Sequence, residues 1–338
     1  MSTDLRLALL RTFINTCPAY LKLDVTSLVP ASADASFRRY FRLKGSGDNT
    51  FIVMDAPPEK EDCRPFLKVA TLFSAAGVHV PAVLAQDLQQ GFLLLDDFGN
   101  RTYLDELNPS NAPKLYGEAI KALVKLQAGT RVEALPAYDQ TLLMHELQLF
   151  PQWYLEKHLG VTLNAEQLTP LKLMFETIVK VNLAEPRVYV HRDYHSRNLM
   201  LVNTNNPGII DFQDAVIGPM SYDLVSLLRD AYIQWPEALQ IDWAIAFWTQ
   251  ARAAGLPVKA DFGDFWRDFE IMGLQRHLKV LGIFARLYHR DGKEAYLKDL
   301  PRVSHYARSV LERYKIFLPL LKILDAAESY VRPMGYSF

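Results

Sequence analysis

Cysteine is nearly missing: Cys17 and Cys63 are the only two in 338 residues. Neither belongs to a metal-spaced pair, which excludes a disulfide scaffold and a thiolate zinc site and leaves reduced thiols in a cytoplasmic protein as the expectation. Long apolar runs are missing too. Even Ile316 to Leu324 is broken by Pro319 and Lys322, so no membrane span is expected. The net charge is −1 and no basic block appears, which removes the electrostatic footprint of a nucleic-acid or anionic-membrane binder. Asp4 and Arg6 precede the first short apolar run, so the amino terminus reads as an amphipathic helix and not a signal peptide. No repeat or low-complexity tract is present. What remains is a globular composition with enough residues for two sizeable cores.

The most informative stretch runs from Arg187 to Asp223. Val188 to Val190, Leu199 to Val202 and Gly208 to Ile210 read as short strands, the last two separated by a turn rich in Asn and Pro. If those two pair as a hairpin, Asn198 and Asp211 come side by side at its open end. An amide oxygen and a carboxylate placed there suit Mg2+, a hard cation that keeps coordination positions for phosphate and water. Asp193, five residues before Asn198, is then placed to accept the proton of an attacking hydroxyl.

His191-x-Asp193, Asn198, Ile210-Asp211-Phe212, Gly218-Pro219 and Tyr222-Asp223-Leu224 together resemble the catalytic core of the aminoglycoside and choline kinase group. The resemblance implies an α+β, two-lobed protein-kinase-like fold using ATP and Mg2+. Its small amino-terminal lobe, residues 1–97, would be a five-stranded antiparallel sheet that binds nucleotide, and the mainly helical remainder, 98–338, would hold the acceptor. By the same resemblance Asp223 supports the catalytic loop from beneath, and locally it reads as the N-cap of a helix over Leu224 to Ala231. His195 falls where protein kinases place a lysine that meets the γ-phosphate, and it is assigned a hydrogen bond to the transferring group. Arg192 and Arg197 flank the base and are read as holding the catalytic loop or a phosphorylated residue.

Strands are expected over Thr26 to Val29, Phe37 to Leu43, Thr50 to Asp55, Val80 to Gln86 and Phe92 to Leu95, with a helix over Asp62 to Ala75. The loop Ala31 to Ser36 should lie over the phosphates, with Ser36 among the contacts, although small residues stand where protein kinases carry glycine. The lysine usual on the third strand is missing from Phe51 to Asp55, and so is its glutamate partner on the next helix. Losing both leaves neither charge unpaired. Arg39 or Arg42 is expected to supply the cation, Arg39 sharing a face with Phe41 and Leu43 turned toward the adenine. Leu95 and Asp97 mark the hinge, where adenine would meet the backbone.

Past the hinge, helices are expected over Asn111 to Ala128, Leu142 to Leu159, Ala165 to Leu183 and from Asp223 onward. In the apolar helix spanning Ile271 to Arg290, the basic residues Arg276, Lys279, Arg286 and Arg290 fall within about 80° of one another on a helical wheel. Such residues need anionic partners, either structural carboxylates or a carboxylate on the substrate. Leu227 to Ile233 with Trp235-Pro236, Gly273 to Lys279, Phe37 to Arg42 and Met54 to Glu59 are similar to the bacterial N-acetylmuramate/N-acetylglucosamine anomeric kinases. That likeness implies a small amino-sugar substrate phosphorylated at its anomeric hydroxyl in recycling of cell-wall sugars, with Arg276, Lys279 and Asp230 at the acceptor. A kinase of the same fold acting on an aminoglycoside, a choline-like amine or another sugar, or a nucleotide-binding pseudokinase, stays open on the residues alone. The sequence sets no oligomeric state.

Overall fold

A computed structural model describes residues 5–33 and 37–328 of the chain. They form two compact units, Met1–Asn111 with Arg197–Asp214, and Ala112–Ser196 with Ala215–Phe338. The cut expected between 97 and 98 is therefore displaced, and the chain returns to the first unit for one excursion. Backbone pairing is the reason: His79 bridges Gly208, Thr102 bridges Met200, and the Leu201 N–H donates to the Arg101 carbonyl at 2.8 Å.

The first unit opens with helix α1 (Leu5–Thr16) and strands β1 (Asp24–Ala33), β2 (Arg39–Lys44) and β3 (Thr50–Asp55). Helix α2 (Cys63–Ala75), capped by the Asp62 side chain on the Arg64 amide, leads into β4 (Val83–Asp87) and β5 (Phe92–Asp96). The five strands form the expected antiparallel sheet in the order β1-β2-β3-β5-β4. Side chains alternate across it. Phe41, Leu43, Phe51, Val53, Phe92 and Leu94 pack with Leu10, Phe13 and Ile14 of α1, whereas Tyr40, Arg42, Ile52 and Leu95 point to the other face.

That alternation reverses the expected facing of β2. The core under α1 takes Phe41 and Leu43, so Arg39 is held on that side by the fully buried Asp55, which also accepts from Arg6. The short helix α3 (Tyr103–Glu106) closes the unit's first segment.

The returning segment is the expected hairpin, cut short to β7 (Leu199–Met200) and β8 (Gly208–Ile209). Gly208 is required here, since a Cβ would lie 2.5 Å from the Phe98 ring. Phe212, fully buried, packs on Phe66 and Phe73 of α2 at centroid separations of 4.8 and 5.8 Å.

The second unit is mainly helical: α4 (Ala112–Ala128), α5 (Gln140–Leu149), α6 (Ala165–Leu183), α7 (Ser221–Leu228), α8 (Glu237–Ala253), α9 (Phe262–Asp291), α10 (Leu300–Arg313) and α11 (Leu318–Ala327). The single helix expected over Leu142 to Leu159 changes character at Pro151. Residues Phe150–His158 widen into π-helical turns, where the missing proline N–H is accommodated. Strand β6 (Arg187–Val190) pairs antiparallel with β9 (Val216–Pro219), a strand the sequence reading did not expect. Helix α9 passes so close to α5 that a Cβ on Gly282 would lie 2.4 Å from the Leu149 carbonyl carbon. A glycine in a helix interior costs about 1 kcal/mol against alanine, and this one is needed for the approach.

Helix α7 is buried along its whole length, and its start is tied by Glu185 to the turn that follows α6. The carboxylate accepts from the Ser221 amide at 3.0 Å and the Ser221 hydroxyl at 2.8 Å. Burial pushes the Glu185 carboxyl up to about 8 although the Ser221 hydrogen bonds oppose it. The folded protein therefore keeps a proton that the unfolded chain, with the ordinary value of 4.5, has lost. The stability this confers is complete below the unfolded value and falls as pH rises through 8. Buried His277, held well below 6.5 by burial, works the other way at acidic pH. We expect thermal midpoints to fall between pH 7 and 8.5, and Glu185→Gln to flatten that slope. Equal slopes in both proteins would refute the assignment.

Candidate active site

The first unit holds a cavity of about 360 Å3 on the sheet face opposite α1. That size suits a nucleotide-sized ligand. Its walls include Ala31, Tyr40, Arg42 and Ile52 from the early strands, Leu95 to Asn100 from the end of β5, and Arg197, Asn198, Met200, Ile210 and Asp211 from the hairpin. Apolar Ile52 is the β3 residue at this wall, where the family's lysine would be looked for.

Asn198 and Asp211 meet at the hairpin's open end. The Ile210 amide donates to the Asn198 carbonyl at 3.1 Å, and the Asn198 Nδ2 to Asp211 Oδ2 separation is 3.4 Å. Gln213 Nε2 donates to Asp211 Oδ1 at 2.9 Å. Asp211 has φ +62°, a left-handed conformation that Asp and Asn enter more readily than other non-glycine residues. The described residues contain no group of three His, Cys, Asp or Glu able to hold a metal. One carboxylate with one amide oxygen fits a Mg2+ ion that takes the rest of its shell from phosphate and water.

Arg42 and Arg197 both reach this wall. Arg42 pairs with Asp97 and Asn100, donating from Nη2 to Asp97 Oδ1 at 2.9 Å. Asp97 also accepts from the Thr50 hydroxyl at 2.7 Å and the Gly99 amide at 2.8 Å. Burial raises its carboxyl, but Arg42, Thr50 and the Gly99 amide outweigh this and hold it below the usual range. Its side chain fastens the end of β5. Arg39 is not among the wall residues, being on the α1 side with Asp55, and Ser36 lies outside the described residues. Arg197, exposed beside Asn198, was not singled out as a phosphate contact from the sequence; its signal was adjacency to the metal-ligand candidate.

In the second unit, β6 delivers the loop His191 to Ser196. Asp223, from the first turn of α7, accepts the His191 amide at 2.6 Å and the Arg192 amide at 3.0 Å. The helix begins at Ser221, so Asp223 is not the N-cap the sequence suggested; its oxygens are spent on the loop. Burial, with the nearby Asp193 carboxylate, pushes Asp223 up to about 7 against the pull of those amides. Arg192 has φ +77°. Asp193 is half-buried; burial would raise its carboxyl, but Lys279, His195, Arg276 and His191 more than offset it and keep the group ionised.

His195 stands edge-on to Tyr232, with centroids 5.3 Å apart. Asp230, 1 % exposed, accepts the Ser196 amide at 2.9 Å and hydroxyl at 2.5 Å, and the Tyr232 amide at 2.8 Å. It therefore braces the loop from its far end. The basic face of α9 divides. Arg276 and Lys279 are buried, whereas Arg290 is exposed and paired with Asp291. Lys279 donates to Tyr222 OH at 2.9 Å and pairs with Glu146 at 3.1 Å. Arg276 Nη1 is buried with no hydrogen-bond partner among the described residues. Glu146 was missed from sequence, although a carboxylate between Leu143 and Leu147 on the buried face of α5 is a readable anomaly.

The model of the phosphotransferase enzyme family matches residues 27–262. An N-acetylmuramate/N-acetylglucosamine kinase of Pseudomonas aeruginosa is 50% identical over 320 residues, covering 93% of this chain and 94% of that protein. One of the same name from Neisseria meningitidis serogroup B is 49% identical over 298 residues, covering 87% and 88% respectively. Among solved structures, ADP-bound aminoglycoside phosphotransferase APH(2'')-Ib aligns at TM-score 0.60 and 16% identity over 93% of this chain and 99% of its own. A choline/ethanolamine kinase family protein from Mesorhizobium loti aligns at TM-score 0.63 and 13% identity, covering 95% and 99%. At such identities these structures establish the fold, protein-kinase-like and two-lobed. No helix among the described residues is long and apolar enough to cross a membrane.

Proposed function

The chain belongs to the phosphotransferase enzyme family, and on that premise we propose that it transfers the γ-phosphoryl group of ATP to the anomeric hydroxyl of N-acetylmuramate and N-acetylglucosamine. The observation that carries the chemistry is the Asn198 and Asp211 pair on the wall of a nucleotide-sized cavity. The half-identical kinases of that name carry the substrate.

Leu95 and the backbone after it take the adenine, and Tyr40, Ile52 and Met200 exclude water around it. Asn198 and Asp211 hold Mg2+, which neutralises phosphate charge when bound. Asp193, kept ionised, orients the acceptor hydroxyl and takes its proton as the phosphorus bond forms. Transfer is direct, because no activated Ser, Cys or His nucleophile stands in this arrangement among the described residues. A phosphorylated N-acetyl sugar of this kind belongs to the recycling of cell-wall sugars.

The test is ADP release with Mg-ATP against N-acetylmuramate, N-acetylglucosamine, glucose, choline and kanamycin. Turnover confined to the two N-acetyl sugars is expected. Preference for choline or kanamycin would overturn the substrate, and tight Mg-ATP binding without any turnover would point to a pseudokinase.

A further inference from the structure

We propose that Lys279 is a positioning residue for Asp193, locked in place by Glu146, which joins it to the residue immediately before the base. The inference rests on the kinase reading above. Glu146 is 4% exposed and is the meeting point of three donors: Arg192 Nη2 at 2.6 Å, Lys279 Nζ at 3.1 Å and the Tyr138 hydroxyl. Lys279, 6% exposed, is fixed a second time by Tyr222 OH at 2.9 Å and lies 5.5 Å from that ring's centroid. Arg192 is gripped at both ends, by Glu146 through its guanidinium and by Asp223 through its amide at 3.0 Å. Its left-handed backbone, φ +77°, is thereby held, and that backbone sets where Asp193 points.

Charge balance assigns Lys279 its second role. Two cations, Arg192 and Lys279, converge on the single carboxylate of Glu146, and a buried ammonium left without its own counter-charge is costly. Asp193, next to Arg192 in the chain, is a second carboxylate whose ionised form Lys279 favours, and the shared Glu146 ties the lysine to the residue that carries it. The groups facing Asp193 are Lys279 and Arg276 from α9, His191 and His195 from its own loop, and Asp223 from α7. Those facing Lys279 are Glu146 from α5, Tyr222 from α7, and Arg192 and Asp193 from the loop. Burial would drive the Lys279 proton off, but Glu146 and Tyr222 restore it and the ammonium persists. The close passage of α9 over α5 at Gly282, one turn beyond Lys279, brings the lysine within reach of Glu146.

The experiment is the pH profile of kcat for the wild-type enzyme, Lys279→Met and Lys279→Arg, each checked for folding by circular dichroism. Lys279→Met leaves Glu146 paired with Arg192 and Tyr138. It should move the acidic limb, where kcat rises as Asp193 ionises, upward by about 1 pH unit. The plateau should fall about 10- to 100-fold through misplacement of the base, with KM for ATP within about twofold of wild type. Lys279→Arg keeps the charge and should keep the limb. If Lys279→Met does not fold, Lys279→Gln, which is polar, uncharged and one atom shorter than lysine, replaces it with the same expected shift. An unmoved limb in the neutral variant, or an equal shift in Lys279→Arg, overturns the inference. A wild-type enzyme that phosphorylates no sugar would overturn the kinase reading instead, so the two failures are separate.

Discussion

Asp193→Asn should lower turnover by about 10²- to 10⁴-fold, the range lost when a positioned base is removed, while Mg-ATP binds as before. The substitution is nearly isosteric, and the loop contacts made by the Asp193 main chain survive it. The Asp193 N–H donates to His191 Nδ1 at 3.2 Å and its carbonyl accepts from the His195 amide at 3.0 Å. The substitution removes the carboxylate charge. Lys279, His195, Arg276 and His191 hold that charge in place despite burial, so the wild-type carboxylate is ready to accept a proton at neutral pH. Steady-state ADP release, beside a nucleotide-binding isotherm for the same sample, gives the comparison. Retention of more than about a tenth of wild-type turnover would remove Asp193 from the role of base.

Asp211→Asn is the second large effect. Asparagine tolerates the left-handed backbone that Asp211 adopts at φ +62°, so the hairpin should survive the change. The amide oxygen can still accept from Gln213 Nε2, which now donates to the carboxylate at 2.9 Å, while an amide nitrogen takes the place of the oxygen that meets Asn198 Nδ2 at 3.4 Å. What disappears is the formal charge at the metal seat. A drop of about 10²- to 10³-fold in kcat/KM for Mg-ATP is expected, the size of effect seen when one preorganised electrostatic contact is lost. The Mg2+ concentration for half-maximal rate should rise with it. A normal rate with an unchanged Mg2+ requirement would show that the ion is held elsewhere.

Spacing and turn chemistry made the hairpin legible. Asn203 to Pro207 could only be a reversal, and a reversal there forces Asn198 and Asp211 together. Strand β3 and helix α2 were readable for similar reasons of alternation and capping. The facing of β2 was not. Alternation shows that Phe41 and Leu43 share a side with Arg39, but only the docking of α1 decides that this side is the closed core. Strand β9 is four residues ending in Gly218-Pro219, too short and too rich in turn residues to register as a strand. The unit boundary escaped because the motif hairpin pairs with segments about a hundred residues earlier, near His79 and Thr102. Lys279 and Arg276 were visible as basic residues on an apolar helix, but what Lys279 pairs with depends on how closely α5 and α9 pass.

The most direct measurement is the 31P NMR spectrum of N-acetylmuramate after incubation with the wild-type enzyme and Mg-ATP. One new phosphomonoester signal, coupled to the anomeric proton and accompanied by loss of the reducing end, is expected. A signal coupled to the C6 protons, or ATP left intact beside unmodified sugar, would contradict phosphoryl transfer to the anomeric hydroxyl.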